Sequence, residues 1–207
     1  MKTKNGKNEL REWVGAIGVA VLLAFGIRFF LFIPIEVEGA SMLPTFENGD
    51  KVMVNKIGPK FNDYERFDII VFKVNKETNY IKRVIGLPGD HITYKDDELL
   101  INGKKYDEPY LDELKKELID HGTLTQDFTL EEYLGEVVVP EGSLFVLGDN
   151  RRFSNDSREP SVGFISMDIV LGTVNMTYYP LNNFGFIKEY RRRENKLVVH
   201  LFLILLA

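Results

Sequence analysis

The sequence predicts a mainly β protein of antiparallel sheets, carried behind one N-terminal transmembrane helix and interrupted by a smaller inserted subdomain. Three observations carry this prediction. Residues Trp13 to Ile35 hold a single charge, Arg28. From Glu36 onward, apolar residues alternate with polar ones or come in short β-branched runs, the pattern of half-buried and buried strands. Between Glu108 and Glu132 that pattern gives way to a charged stretch in which Leu111, Leu114 and Leu118 recur at helical spacing.

Each element follows in order. A helix needs about 20 mainly apolar residues to cross the hydrocarbon core, and 13–35 supplies them. Arg28 lies near the end of the run, where a long side chain can snorkel to the headgroups, and Pro34 ends the helix. Lys2, Lys4, Lys7 and Arg11, against Glu9 and Glu12, flank the run on one side. Glu36, Glu38, Glu47 and Asp50 follow it before the next positive residue, Lys51. The positive-inside rule then puts residues 1–12 in the cytoplasm and the body outside. A cleaved leader is the competing reading, but its apolar core is shorter and ends in small residues, whereas this run ends in Phe29-Phe30-Leu31-Phe32.

Strands are predicted at 51–54, 67–72, 80–85, 135–139, 144–147 and 169–177. A hairpin is predicted where Asn102-Gly103 separates Leu99-Leu100-Ile101 from Lys104-Lys105-Tyr106, because Asn-Gly suits the positive φ angles of a type I′ turn. Gly86-Leu87-Pro88-Gly89-Asp90 is turn chemistry. The division expected is a β domain from 36–90 and 139–190, an insertion over 91–138 with no catalytic part, and a tail over 191–207. That tail runs from Arg191-Arg192-Arg193 into eleven mostly apolar residues. Eleven helical residues reach only about 17 Å, short of a full crossing, so the tail reads as touching a membrane or docking on the core.

Composition narrows the chemistry. The 207 residues carry 26 Lys plus Arg against 31 Asp plus Glu, a net charge of −5, which argues against a nucleic-acid partner. There is no Cys, so no disulfide framework, thiol nucleophile or thiolate metal site. His91, His121 and His200 are scattered, so a zinc centre is not expected, and no cofactor motif is present. Of six Ser, only Ser41 precedes residue 143, in Gly39-Ala40-Ser41-Met42-Leu43-Pro44-Thr45. An activated Ser needs a base, and with no His in a suggestive context a neutral Lys is the alternative. Burial lowers a Lys pKa because it disfavours the charged form. In Tyr80-Ile81-Lys82-Arg83-Val84-Ile85, alternation puts Tyr80, Lys82 and Val84 on one face and Arg83 on the other, so Lys82 sits in an apolar run. On pattern alone a Ser before a turn is a surface Ser and a strand Lys is solvated; neither residue is specific by itself.

Three segments in this order behind an apolar N-terminal run resemble type I signal peptidases of the Gram-positive type. They are Gly39 to Thr45, Tyr80 to Asp90, and Gly148-Asp149-Asn150-Arg151-Arg152-Phe153-Ser154-Asn155-Asp156-Ser157-Arg158. Gly163 and Ile169 to Gly172 resemble the family's end, and the likeness covers about residues 8–180. The resemblance implies a signal-peptidase and repressor-protease type of β fold. It implies a membrane-bound serine endopeptidase that removes N-terminal signal peptides from secretory precursors at small-x-small sites. By the same likeness Ser41 is the nucleophile, Lys82 the general base, and Ser154 the residue that hydrogen-bonds and orients Lys82. Asp156 pairs with Arg158, and Asp149 with Arg83. Ile35, Val37, Gly39, Met42, Tyr80 and Ile81 line shallow pockets for Ala-sized residues, with ordinary core packing as the alternative for the apolar ones. Gly39 stands where Gram-negative-type members carry a Ser whose hydroxyl completes the oxyanion hole, which leaves the second donor open. The implied setting is a bacterial cell membrane crossed once, with precursors and phospholipid as partners. A self-cleaving repressor would carry a DNA-binding helix-turn-helix in place of the apolar run, and an inactive tethered relative would lack Ser41 or Lys82.

Overall fold

A computed structural model of the chain describes residues 6–57, 64–119, 122–188 and 190; within its first helix, the side chains of 6–10, 23–25 and 27–30 are not described. Helix α1 (Gly6–Leu31) is followed directly by β1 (Phe32–Glu36) and β2 (Lys51–Asn55). Next come β3 (Ile69–Lys73), β4 (Asn79–Gly86), β5 (Ile92–Lys95), β6 (Glu98–Ile101) and β7 (Lys104–Tyr106). Helix α2 (Asp112–Glu117), β8 (Phe128–Thr129) and α3 (Leu130–Leu134) follow. The chain then forms β9 (Ser143–Leu147), β10 (Ile165–Ser166), β11 (Val170–Tyr179) and β12 (Gly185–Phe186).

Every strand pair is antiparallel. One eight-stranded sheet runs β1-β2-β11-β3-β4-β9-β10 with β12 beside β11, and a four-stranded sheet runs β7-β6-β5-β8. The β pattern read from the sequence is therefore the architecture. In the hairpin, Asn102 has φ 53° and Gly103 φ 73°, the type I′ requirement.

Three expectations change. The chain leaves helix at Leu31, and residues 32–35 of the expected span are strand β1, paired with β2. Pro34 sits comfortably there, since a strand at the end of a sheet need not donate from every residue. Among the described residues, no helix is long and apolar enough to cross a membrane, so they do not establish the expected span. Residues 135–139 form no strand: Gly135 ends α3 with φ 72°, and Val139 only exchanges two backbone hydrogen bonds with Gly89 and Asp90. Strands β5 and β8, inside the insertion, have too little alternation to be read from sequence. Residues 191–207 lie outside the described residues.

The second sheet does not pack by itself. Ile92, Tyr94, Leu99, Ile101 and Phe128 from it share one core with Ile85, Phe145 and Leu147 of the large sheet. Burial of such side chains contributes roughly 1.5–3 kcal/mol each. Gly89 N–H donates to the Val139 carbonyl and Val139 N–H to that of Asp90, joining the entry and exit of the insertion at one point. The insertion is thus a lid on the core rather than a tethered unit.

Candidate active site

Strand β4 lies between β3 and β9, with Lys82 opposite Ile70 of β3. Its flanks are apolar for that reason, and Lys82 is only 3% exposed. The ammonium has two hydrogen-bond acceptors, the Ser41 hydroxyl at 2.7 Å and the Ile81 carbonyl at 3.1 Å, and lies 5.1 Å from the Tyr80 ring centroid. Burial pulls the Lys82 pKa down from 10.5 to about 8, against the opposing pull of the Asp156 and Asp149 carboxylates. A neutral amine at that distance can take the hydroxyl proton, because its lone pair replaces one donated hydrogen.

Ser41 is held from the other side by the turn that follows β9. Asn150 donates its backbone N–H to the Ser41 carbonyl (3.0 Å) and its side-chain amide to the Ala40 carbonyl (3.1 Å). Gly148 makes this approach possible. A Cβ there would fall 2.5 Å from the Ser41 carbonyl oxygen and 2.6 Å from Ser154 Cβ, closer than real side chains come.

Two buried ion pairs brace the same turn. Arg83 grips Asp149 in a bidentate pair, Nε to Oδ1 at 2.8 Å and Nη2 to Oδ2 at 2.6 Å, with Thr45 Oγ1 also donating to Oδ2 at 2.5 Å. The Arg83 guanidinium lies 4.0 Å from the Tyr110 ring centroid. Asp156 accepts from Arg158 Nε (2.8 Å) and Nη2 (2.9 Å), and from the Gly148 N–H (3.0 Å). The structure thus brings Ser41, Lys82, Asp149, Arg83, Asp156 and Arg158 into one connected site.

Ser154 departs from expectation. Its hydroxyl is buried beside Gly148 but makes no hydrogen bond, so it does not hold Lys82. The lysine is instead turned toward Ser41 and its neighbouring Ile81 carbonyl. The pocket candidates also divide. Val37, Met42 and Ile81, with Ile35 partly buried, pack in one core cluster, whereas Tyr80 packs edge-on against Phe72 in another. Met42 is 1% exposed and Val37 4%, so both are core side chains with little surface left for a ligand. Gly39 is exposed, with φ 90°, and its N–H is taken by Asn48 Oδ1 at 2.8 Å.

Known proteins resemble this chain over most of its length. A family model described as signal peptidase, peptidase S26, matches residues 10–179. A signal peptidase I of Bacillus caldolyticus is 48% identical over 184 residues, covering 89% of this chain and 98% of that protein. The chain belongs to the signal peptidase I family. Signal peptidase I S of Bacillus subtilis is 44% identical over 186 residues (88% of this chain, 97% of that one). Signal peptidase IB of a Staphylococcus aureus strain is 40% identical over 185 residues (87% and 95%). A crystal structure of a signal peptidase I from Enterococcus faecalis matches with a TM-score of 0.50 at 44% identity, covering 54% of this chain and 97% of that one. The chain is accordingly an enzyme of the signal peptidase I type.

Several residues around Ser41 and Lys82 carried no role in the sequence reading. Thr45, Gly148 and Asn150 lie inside the quoted segments, so their positions were visible, but no residue pattern encodes their partners: Thr45 Oγ1 donates to the Asp149 carboxylate, the Gly148 N–H to the Asp156 carboxylate, and Asn150 to the Ser41 and Ala40 carbonyls. Ser157 is another: its Oγ accepts from the Val146 N–H at 3.0 Å, folding the end of the third segment back along β9.

Proposed function

We propose that this chain is a membrane-bound serine endopeptidase that removes signal peptides from secretory precursors at small-x-small sites, with Ser41 as nucleophile and Lys82 as general base. The observation that carries the reading is the 2.7 Å contact of Ser41 Oγ with the Nζ of Lys82, a residue only 3% exposed.

The steps balance with these two residues alone. Neutral Lys82 takes the Ser41 proton as Oγ attacks the scissile carbonyl. The oxyanion of the tetrahedral intermediate faces the Ser41 N–H; losing one such donor costs about 10²–10³ in rate. The ammonium returns its proton to the departing amine, leaving an ester on Ser41. Lys82, neutral again, deprotonates a water that hydrolyses the ester and restores the hydroxyl. Asn150, Asp149 and Asp156 keep the two reacting residues at this spacing. With Gly39 N–H bound to Asn48, the second oxyanion donor comes from elsewhere. Ser154 and the expected pocket residues support the site by filling its walls, with Met42 and Ile81 nearest in sequence to the dyad.

Substrate class follows from chemistry and place. Strand β1 ends the path of the large sheet and leads into the exposed 38–40 segment before Ser41, an edge on which an extended peptide can add a strand. The anchor reading rests on the apolar part of helix α1, residues 13–31, which spans about 29 Å against a hydrocarbon core of about 30 Å. Trp13, Val14, Ile17, Val19, Val21 and Leu22 are exposed on all sides of it, which suits lipid and not water. The positive flank before it places the N-terminus in the cytoplasm and the site outside.

The test uses the full chain in detergent or vesicles and a precursor with an Ala-x-Ala site. Wild type is expected to release the mature protein at that site, and Ser41→Ala and Lys82→Ala to lose at least about 10³-fold in rate while remaining folded. Retained activity in either variant would falsify the dyad.

A further inference from the structure

A buried carboxylate of the insertion reaches the catalytic turn. Glu108 lies between β7 and the 3₁₀ turn Pro109–Leu111, with its side chain 2% exposed. Its Oε1 accepts from the hydroxyls of Tyr94 and Tyr110, each at 2.7 Å, and from Arg151 Nη2 at 2.5 Å. Arg151, with no exposed side-chain surface, also donates from Nη1 to Tyr94 Oη (2.7 Å), Thr125 Oγ1 (3.2 Å) and Glu108 Oε2 (3.5 Å). Burial pushes the Tyr94 and Tyr110 hydroxyls well above the ordinary phenol range, so both stay protonated donors.

The other end of this network is the turn after β9, which holds Ser41. Arg151 Nε donates to the Gly148 carbonyl (3.1 Å), and the Arg151 carbonyl accepts from Arg158 Nη2 (2.7 Å). Gly148 and Arg151 bracket Asn150, which holds the Ser41 and Ala40 carbonyls. A buried ion pair gives little net stability over an apolar replacement, so its presence between two segments calls for another gain. A displacement of about 1 Å at reacting atoms costs about 10²-fold in rate. Fixing this turn is such a gain.

We infer that Glu108 of the insertion, acting through Arg151, is a positioning residue for Ser41, so that the insertion is part of the catalytic apparatus. The inference rests on the peptidase reading above. It contradicts the expectation that residues 91–138 have no catalytic part.

The experiment measures kcat, KM and Tm on the full chain for wild type, Ser41→Ala, Glu108→Gln, Glu108→Ala and Tyr94→Phe, with Leu118→Ala as a variant that loosens the insertion without touching Arg151. Expected are a fall in kcat of about 10- to 100-fold for Glu108→Ala, partial recovery in Glu108→Gln, and KM within about threefold throughout. Leu118→Ala is expected to lower Tm and keep wild-type kcat. Tyr94→Phe keeps its ring stacked on Phe128 at 5.1 Å and removes only the hydroxyl, so it carries the test if Glu108→Ala does not fold. Wild-type kcat in Glu108→Gln and Tyr94→Phe overturns the positioning role alone. A fall in kcat that tracks Tm equally in Leu118→Ala also overturns it. A wild type that cleaves no better than Ser41→Ala overturns the peptidase reading, and the positioning role with it.

Discussion

Lys82 holds the central chemistry because its burial sets two opposing quantities. A charged amine at 3% exposure is costly, and its pKa falls from 10.5 to about 8, a difference worth about 3 kcal/mol. Since the folded pKa lies below the unfolded one, the folded state binds fewer protons between them. The penalty is complete below pH 8 and disappears as pH rises toward 10.5. Lys82→Met is therefore expected to be more stable than wild type at pH 6 by up to about 3 kcal/mol, with the gain shrinking between pH 8 and 10.5. Urea unfolding at both ends of that range checks it. The stability given up at neutral pH is what keeps a usable fraction of neutral amine beside Ser41. The residue types at 41 and 82 were legible in the sequence because they sit in ordered segments. Ser154 was legible as a position but not as a contact, since a hydroxyl beside Gly148 can turn several ways and only packing decides which.

At the scale of elements, the site is a junction of β4, the nucleophile segment and the turn after β9. The buried pair of Arg83 and Asp149 joins the first to the last across 66 residues of chain. Removing one partner strands a buried charge, at a typical cost of about 3–5 kcal/mol. Asp149→Ala is expected to lose that much stability by denaturant unfolding, with the midpoint moving and the slope unchanged. Asp149→Asn keeps the bond to Arg83 and is expected to lose less. Strands β2, β4, β9 and β11 could be read from alternation and apolar runs. Strands β5 and β8 could not, because four and two residues give too short a period. Residues 137–139 misled in the other direction: three valines favour a strand, but no neighbouring strand pairs them. Nor could Glu108 and Arg151 be paired from sequence, since isolated charges in a polar stretch read as solvated until the fold buries them together.

For the whole molecule, the insertion closes one side of the core and α1 runs directly into edge strand β1 of the large sheet. If α1 is the anchor, the chain is expected to stay with membranes after alkaline carbonate washing. The body is expected to be digested by protease added outside intact spheroplasts. Release by carbonate, or protection of the body, would oppose that topology. The account rests most heavily on Lys82 acting as a neutral base, and the pH dependence of kcat/KM for precursor cleavage tests this directly, because that quantity reports the free enzyme's essential groups. A tenfold rise per pH unit that levels near pH 8, absent in Lys82→Ala, is the predicted result. A profile that levels near pH 6.5, or a Lys82→Ala enzyme that keeps the wild-type profile, would contradict it.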